Sequence, residues 1–167
     1  WYVLKEGCED IIQNAIKDVA ISLKASDHLK MPERLDNYIR IEMPDKIKKN
    51  YKELEKERIL EIDEYTITAK SAAVVANKLM QLANGAIYNE DEGVTEIHDL
   101  KLKALEDIME DNEGKPIMVF YNYKHDFERL REYFKSYNPR TLNSQKDKED
   151  WNAGNIRLLL AHPASMG

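Results

Sequence analysis

The stretch "IRLLLAHPASMG", residues 156–167, decides the fold. Its apolar run is too short for a buried helix and is closed by His162 and Pro163, which reads as a strand covered on both faces, as in a parallel sheet. Upstream, "KPIMVFYNY" at 115–123 is a second short run rich in β-formers and bounded by Pro116. Between the two, "KHDFERLREYFKSY" at 124–137 sets Phe127, Leu130 and Phe134 at helical spacing. "RTL" at 140–142 is a candidate strand, and "SQKDKEDWNAG" a short helix from Ser144 to Gly154. The order strand, helix, strand, helix, strand predicts an α/β unit over 114–167, a parallel sheet with right-handed crossover helices.

A mostly helical part precedes it. Residues 9–24 put Ile11, Ile12, Ala15, Ile16, Val19, Ala20 and Leu23 on one helical face. Ile39, Ile41 and Met43 alternate with Arg40 and Glu42, the pattern of a half-buried strand. Pro44 suits a helix start, and Ile47, Tyr51, Leu54 and Arg58 then fall in one row. "TAKSAAVVANKLMQLANG" at 68–85 is a strong helix that Asn84-Gly85 stops in a left-handed turn. "DLKLKALEDIMEDNEG" at 99–114 is a third, with Leu102, Leu105, Ile108 and Met109 inward. The expected divisions are 1–45, an exit segment with a linker strand; 46–113, a helical segment; and 114–167, the α/β unit.

Composition narrows the function classes. Hydrophobic residues make up 43% and charged ones 34%, the balance of a globular chain with solvated helix faces. No apolar run is long enough for a membrane span, and the start "WYVLKEGCEDII" lacks the charge pattern of a secretory signal. A lone Cys8 excludes an internal disulfide and a Cys-based zinc cluster, so a cytoplasmic, reducing compartment is expected. Net charge is -6, but residues 89–113 carry 10 acidic groups against Lys101 and Lys103, and the remainder is about +2. Charge alone neither supports nor excludes a nucleic-acid partner.

Ligands of such sheets bind beyond the carboxyl ends of the strands. One end supplies Asn122, Tyr123, Lys124 and His125; the other supplies His162, Ser165 and Gly167. Small residues there let main-chain N–H groups approach an anion. The plainer readings stand beside this. A single loop histidine such as His162 is more often hydrogen-bonded than a ligand. Ser165 lacks the Gly-x-Ser-x-Gly elbow of a hydrolase, Asp126 and Glu128 complement a helix dipole, and Trp151, Tyr121 and Tyr123 are more often packing than base-stacking platforms. His28, His98, His125 and His162 are too scattered for a metal site. No Gly-x-x-x-x-Gly-Lys-Ser/Thr loop occurs, and no Asp-Glu pair follows an apolar strand, so the chain holds no complete ATP site.

"AAVVANKLMQLANGAIYNED", "EIHDLKLKALEDI", "GKPIMVFYNYKHDFERL" and "WNAGNIRLLLAHPASMG" together resemble the second motor lobe of Swi/Snf-type helicase-like ATPases of superfamily two, in their phage-associated and bacterial branch. "ISLKASDHLKMPER" resembles the chain leaving the first lobe. The resemblance implies a partial RecA-like lobe, with "IMVFYNY" as motif four and "AHPASMG" as the start of motif five. It implies that Tyr121, Asn122, Tyr123, Lys124, His162, Ala164 and Ser165 meet double-stranded DNA, and that Gly167 borders the nucleotide cleft. ATP and magnesium then belong to the intact parent, and this part needs no cofactor of its own, since the Walker A and Walker B elements and motif six have no counterpart here. The implied partners are duplex DNA and the first RecA-like lobe, with no membrane. The part is expected to be inactive alone. The alternative is a non-catalytic α/β protein-interaction module. A sheet cut after its third strand would also leave "IRLLLAH" as an open edge, and self-association through that edge, strand exchange, or its covering by the helical first half is expected.

Overall fold

The computed structural model of the chain describes residues 5, 7–16, 33–62, 65–90 and 93–165. It divides into two units, Trp1–Tyr38 and Ile39–Gly167. In the first, α1 (Cys8–Ile16) realises the start of the expected helix. Its Ile11, Ile12 and Ile16 are exposed, and residues 17–24 of that reading lie outside the described part.

The second unit is mixed α/β. Residues 39–43 do not form the strand that their alternation suggests. They are irregular, Ile39 and Ile41 are exposed, and no strand among the described residues offers them a ladder. Pro44 precedes α2 (Asp45–Glu57), and its carbonyl accepts from the N–H groups of Ile47 and Lys48. Arg58 stops α2 in the left-handed region at φ 60, so it leaves the helical row read for it. β1 (Ile59–Ile62) and β2 (Tyr65–Thr68) then pair antiparallel. Next come α3 (Ala72–Asn84), β3 (Ala86–Tyr88) and β4 (Val94–Glu96), the last two a second antiparallel hairpin. Segment 46–113 therefore carries two hairpins besides its helices.

The C-terminal part follows its expected order. α4 (Leu100–Asp111) leads to β5 (Ile117–Phe120), α5 (Lys124–Tyr133), a 3-10 turn at Lys135–Tyr137, α6 (Gln145–Asn152) and β6 (Leu158–Ala161). β5 and β6 are parallel, with Ile117 opposite Leu158 and Phe120 opposite Ala161. The expected "RTL" strand is reduced to one parallel bridge between Arg140 and Leu159. That bridge overturns the open edge expected at β6. The Arg140 N–H donates to Leu158 at 3.0 Å and its carbonyl accepts from Leu160 at 2.8 Å, so β6 is flanked on both sides and is buried throughout.

Two apolar cores result. One gathers Ile47, Leu54, Leu60, Ile67, Leu79, Leu82 and Ile87 from α2, both hairpins and α3. The other gathers Leu102, Met109, Leu130, Phe134, Leu158 and Leu160 from α4, α5, β6 and the turn after α5. Gly85 lies between them. Its φ is +99, and a Cβ there would sit 2.1 Å from the His98 carbonyl oxygen. Its own carbonyl accepts from the N–H groups of Ile97 and His98. Only glycine allows the chain end leaving β4 to lie this close.

Gly154 provides the contrast, since it also has positive φ (+76) but nothing within 4 Å of an added Cβ. Gly154→Ala is expected to cost roughly 1–2 kcal/mol, the backbone term alone. Gly85→Ala is expected to cost about 3 kcal/mol or more, because a backbone carbonyl must also move. Urea unfolding of both variants checks the ranking; equal losses would contradict it.

Candidate nucleic-acid interface

The N-terminal end of α5 is assembled from the "YNYKHD" stretch, and much of it is used inside the molecule. Asp126 reaches back so that Oδ2 accepts from the Tyr123 N–H (3.3 Å), closing the first turn. The same oxygen accepts from Asn84 Nδ2 at 2.9 Å, joining α5 to the end of α3. Burial pushes the Asp126 carboxyl up, but His125, the Tyr123 N–H and Asn84 outweigh it and hold it below the usual carboxylate range. His125 is buried, with Tyr123 stacked on it at 5.2 Å, Tyr88 edge-on at 4.8 Å, and Nδ1 3.1 Å from Asp126 Oδ1. The Tyr123 hydroxyl points to the Asn77 carbonyl at 3.5 Å, and burial raises its pKa. Tyr123 therefore acts within a seam between the two cores and lines neither cleft described below.

Arg129, one turn along α5, completes that seam. Nη1 donates to the Asn84 carbonyl at 3.0 Å and Nη2 to the His98 carbonyl at 2.6 Å. Burial first, and then the Arg129 charge, push the His98 imidazole below its ordinary pKa.

The carboxyl ends of β5 and β6 open into a cleft of about 380 Å³ lined by Tyr121, Thr141, Leu142, Asn143, His162 and Ala164, among others. Tyr121 follows β5; its N–H donates to Ala161 at 3.1 Å, and its ring meets Phe127 at 5.2 Å and His162 at 5.5 Å. His162 Nδ1 accepts from the Ala164 N–H at 3.2 Å. Pro163 has no N–H and that of Ala164 is engaged, so the 3-10 turn Pro163–Ser165 offers an anion less main-chain donation than small residues alone suggest. Gly167 lies outside the described residues. The lining of this cleft contains no Lys or Arg.

A second cleft, about 330 Å³, lies on the other side of Tyr121. Leu102, Leu105 and Val119 form its apolar floor, and Asn84, Lys101 and Asn122 are on its polar rim. Asn122 and Lys124 are exposed; Lys124 Nζ is 4.0 Å from Glu128. Of the residues named from the sequence, the fold thus gathers Tyr121, His162 and Ala164 at one cleft, sets Asn122 at the other, and leaves Lys124 on the surface. Among the described residues no group of His, Cys, Asp or Glu gathers as metal ligands would. No described helix is long and apolar enough to cross a membrane.

The chain is similar to a phage protein. That relative, "Putative protein p41" of Acyrthosiphon pisum secondary endosymbiont phage 1, is 45% identical over 159 residues. The match takes in 92% of this chain and 33% of the phage protein, so the chain spans about a third of that relative's length. No protein-family profile and no solved structure matches the chain.

One wall of the strand-end cleft depends on Asp147. Its Oδ2 accepts from the Asn143 N–H (3.1 Å), the Ser144 N–H (2.8 Å) and the Ser144 hydroxyl (2.7 Å), and Oδ1 pairs with Arg140. The Ser144 hydroxyl first, and then Arg140, hold its carboxyl at about 2. A depressed carboxyl contributes its full stability above its ordinary value, and loses it as the pH falls toward the folded value. Urea midpoints should therefore fall between pH 3.8 and about 2 in the native chain, and fall less in Asp147→Asn. Parallel acid limbs for the two proteins would contradict the assignment.

Proposed function

We propose that the chain is part of the second motor lobe of a Swi/Snf-type helicase-like ATPase and supplies contacts to the backbone of double-stranded DNA. The observation that carries the reading is the meeting of both candidate motifs at one place. The residues after β5 and those after β6 share the strand-end cleft, with Tyr121 against His162. A parallel pair with its polar loops on one side is the arrangement in which α/β sheets bind ligands. The similarity to a phage protein about three times as long is compatible with a lobe that works inside a larger chain.

Each residue then has a limited task. Lys124 and Asn122, exposed at the start of α5, approach phosphate oxygens, with the helix N-terminus favouring the same sign of charge. His162 lines the cleft, and Tyr121 holds its imidazole edge-on. In the intact motor, ATP supplies the energy of lobe closure. The phosphate loop, the magnesium carboxylates and the motif-six arginines belong to other parts of it, and no step of hydrolysis is assigned to the residues described here.

Anisotropy of a labelled duplex tests the reading. Binding by the 167-residue chain is expected to ignore sequence. It should weaken on the order of tenfold from about 50 to 200 mM salt if a few phosphates are neutralised. Lys124→Ala and His162→Ala should each weaken it further at low salt. Absence of binding at low salt, or binding indifferent to salt, would contradict the proposal. DNA-stimulated ATP turnover by this chain alone would contradict the assignment of hydrolysis to other parts.

A further inference from the structure

The strand-end cleft does not close at Thr141 and Asn143. Both residues also line a second hollow of about 360 Å³, whose other walls are Phe127, Arg131, Pro139, Arg140 and Asp147. The two hollows therefore form one groove, from His162 and Ala164 past Thr141 to Arg131 on α5. The added part is lined by residues between 127 and 147, well inside the described stretch 93–165. Its chemistry differs from that of the strand-end part. Where that part has no Lys or Arg, the added part has two arginines against one carboxylate. Arg140 is engaged with Asp147 and Asp150, and Asp147 also accepts from the N–H groups of Asn143 and Ser144. Arg131 is exposed, with its guanidinium over the Phe127 ring, 5.4 Å from the centroid. Among the described residues it has no carboxylate partner. Its neighbours Glu128 and Glu132 pair with Lys124 and Lys135 instead.

We propose that Arg131 holds a backbone phosphate of the duplex, and that the Thr141 hydroxyl donates to the same backbone between Arg131 and His162. The inference rests on the DNA reading above and extends its contacts along the groove to a residue that the sequence did not single out. A guanidinium lying on an aromatic ring keeps its N–H donors, which lie in its own plane, for a ligand. Their fork matches two oxygens of one phosphate, a geometry that a lysine does not reproduce. Thr141 Oγ1 accepts from Asn143 Nδ2 at 2.7 Å, which leaves the hydroxyl proton to donate outward. Such contacts fix the position of the chain on the duplex and carry no information about base sequence.

The test follows the anisotropy of the labelled duplex over a range of salt concentrations. Arg131→Gln should weaken binding at low salt, equally for duplexes of unrelated sequence. It should also make the plot of log affinity against log salt shallower by about one, the contribution of one phosphate. Arg131→Lys should restore that slope without restoring the full affinity. Thr141→Val, which removes a neutral donor, should weaken binding and leave the slope as it is. Lys135→Gln, one turn beyond Arg131 and outside the groove, removes the same charge and should bind as the native chain does. All four variants should keep the far-UV circular dichroism of the native chain. Native affinity and slope in Arg131→Gln would overturn this inference and leave the DNA reading standing. An equal loss in Lys135→Gln would overturn it too, because the effect would then be one of overall charge. A native chain that does not bind the duplex at low salt would overturn both.

Discussion

The guanidinium of Arg129 is the group on which the arrangement of the two cores depends. A helix end leaves carbonyls without intrahelical partners, and α3 ends where the chain must turn sharply into β3. Arg129 donates to the Asn84 carbonyl at that end and to the His98 carbonyl just before α4. It is a cation at a helix C-terminus, where the dipole favours one. Gly85 makes the geometry possible, because any side chain there would strike the His98 carbonyl. The seam is therefore polar but closely fitted, and its members come from segments distant in sequence.

Asp147 has the corresponding role on the far side of the sheet. Arg140 pairs by its main chain with β6 and by its side chain with Asp147 and Asp150 of α6. One residue thus closes the second edge of β6 and ties down the segment that forms the cleft wall. With β6 flanked on both sides, β5 is the sheet's outer strand among the described residues, beside the residues that begin the strand-end cleft.

The elements of the C-terminal part were legible because each has a clean period and clear punctuation. Pro116, Ser144, Gly154 and the His162-Pro163 break mark their bounds. The β1–β2 hairpin was not legible. "ERILEI" continues the amphipathic row of α2, and the stop is Arg58 in a left-handed conformation, for which no glycine or asparagine gives warning. The strand expected at 39–43 had the right alternation but no partner among the described residues, and alternation alone does not supply one. At the site, the strand ends could be placed from the sequence, whereas the employment of their side chains could not. In the sequence His125 is a candidate strand-end ligand group and Asp126 a partner of the helix dipole, and no local pattern singles out Arg129. Their partners Tyr88, Asn84 and His98 are some 30 to 45 positions away, beyond the reach of any local pattern. For the same reason the stacking of Tyr123 on His125 was not legible.

The central claim is that the Arg129 seam couples two otherwise separate cores into one cooperative unit. Native-state hydrogen exchange measures that coupling directly, through amides of Leu54 and Leu82 in one core and of Leu158 and Leu160 in the other. In the native chain the slowest amides of both cores should exchange with one common free energy and one denaturant dependence. In Arg129→Met, which keeps the apolar stem and removes the donors, the two sets should separate. Separate sets already present in the native chain, or sets still coincident in the variant, would contradict the account.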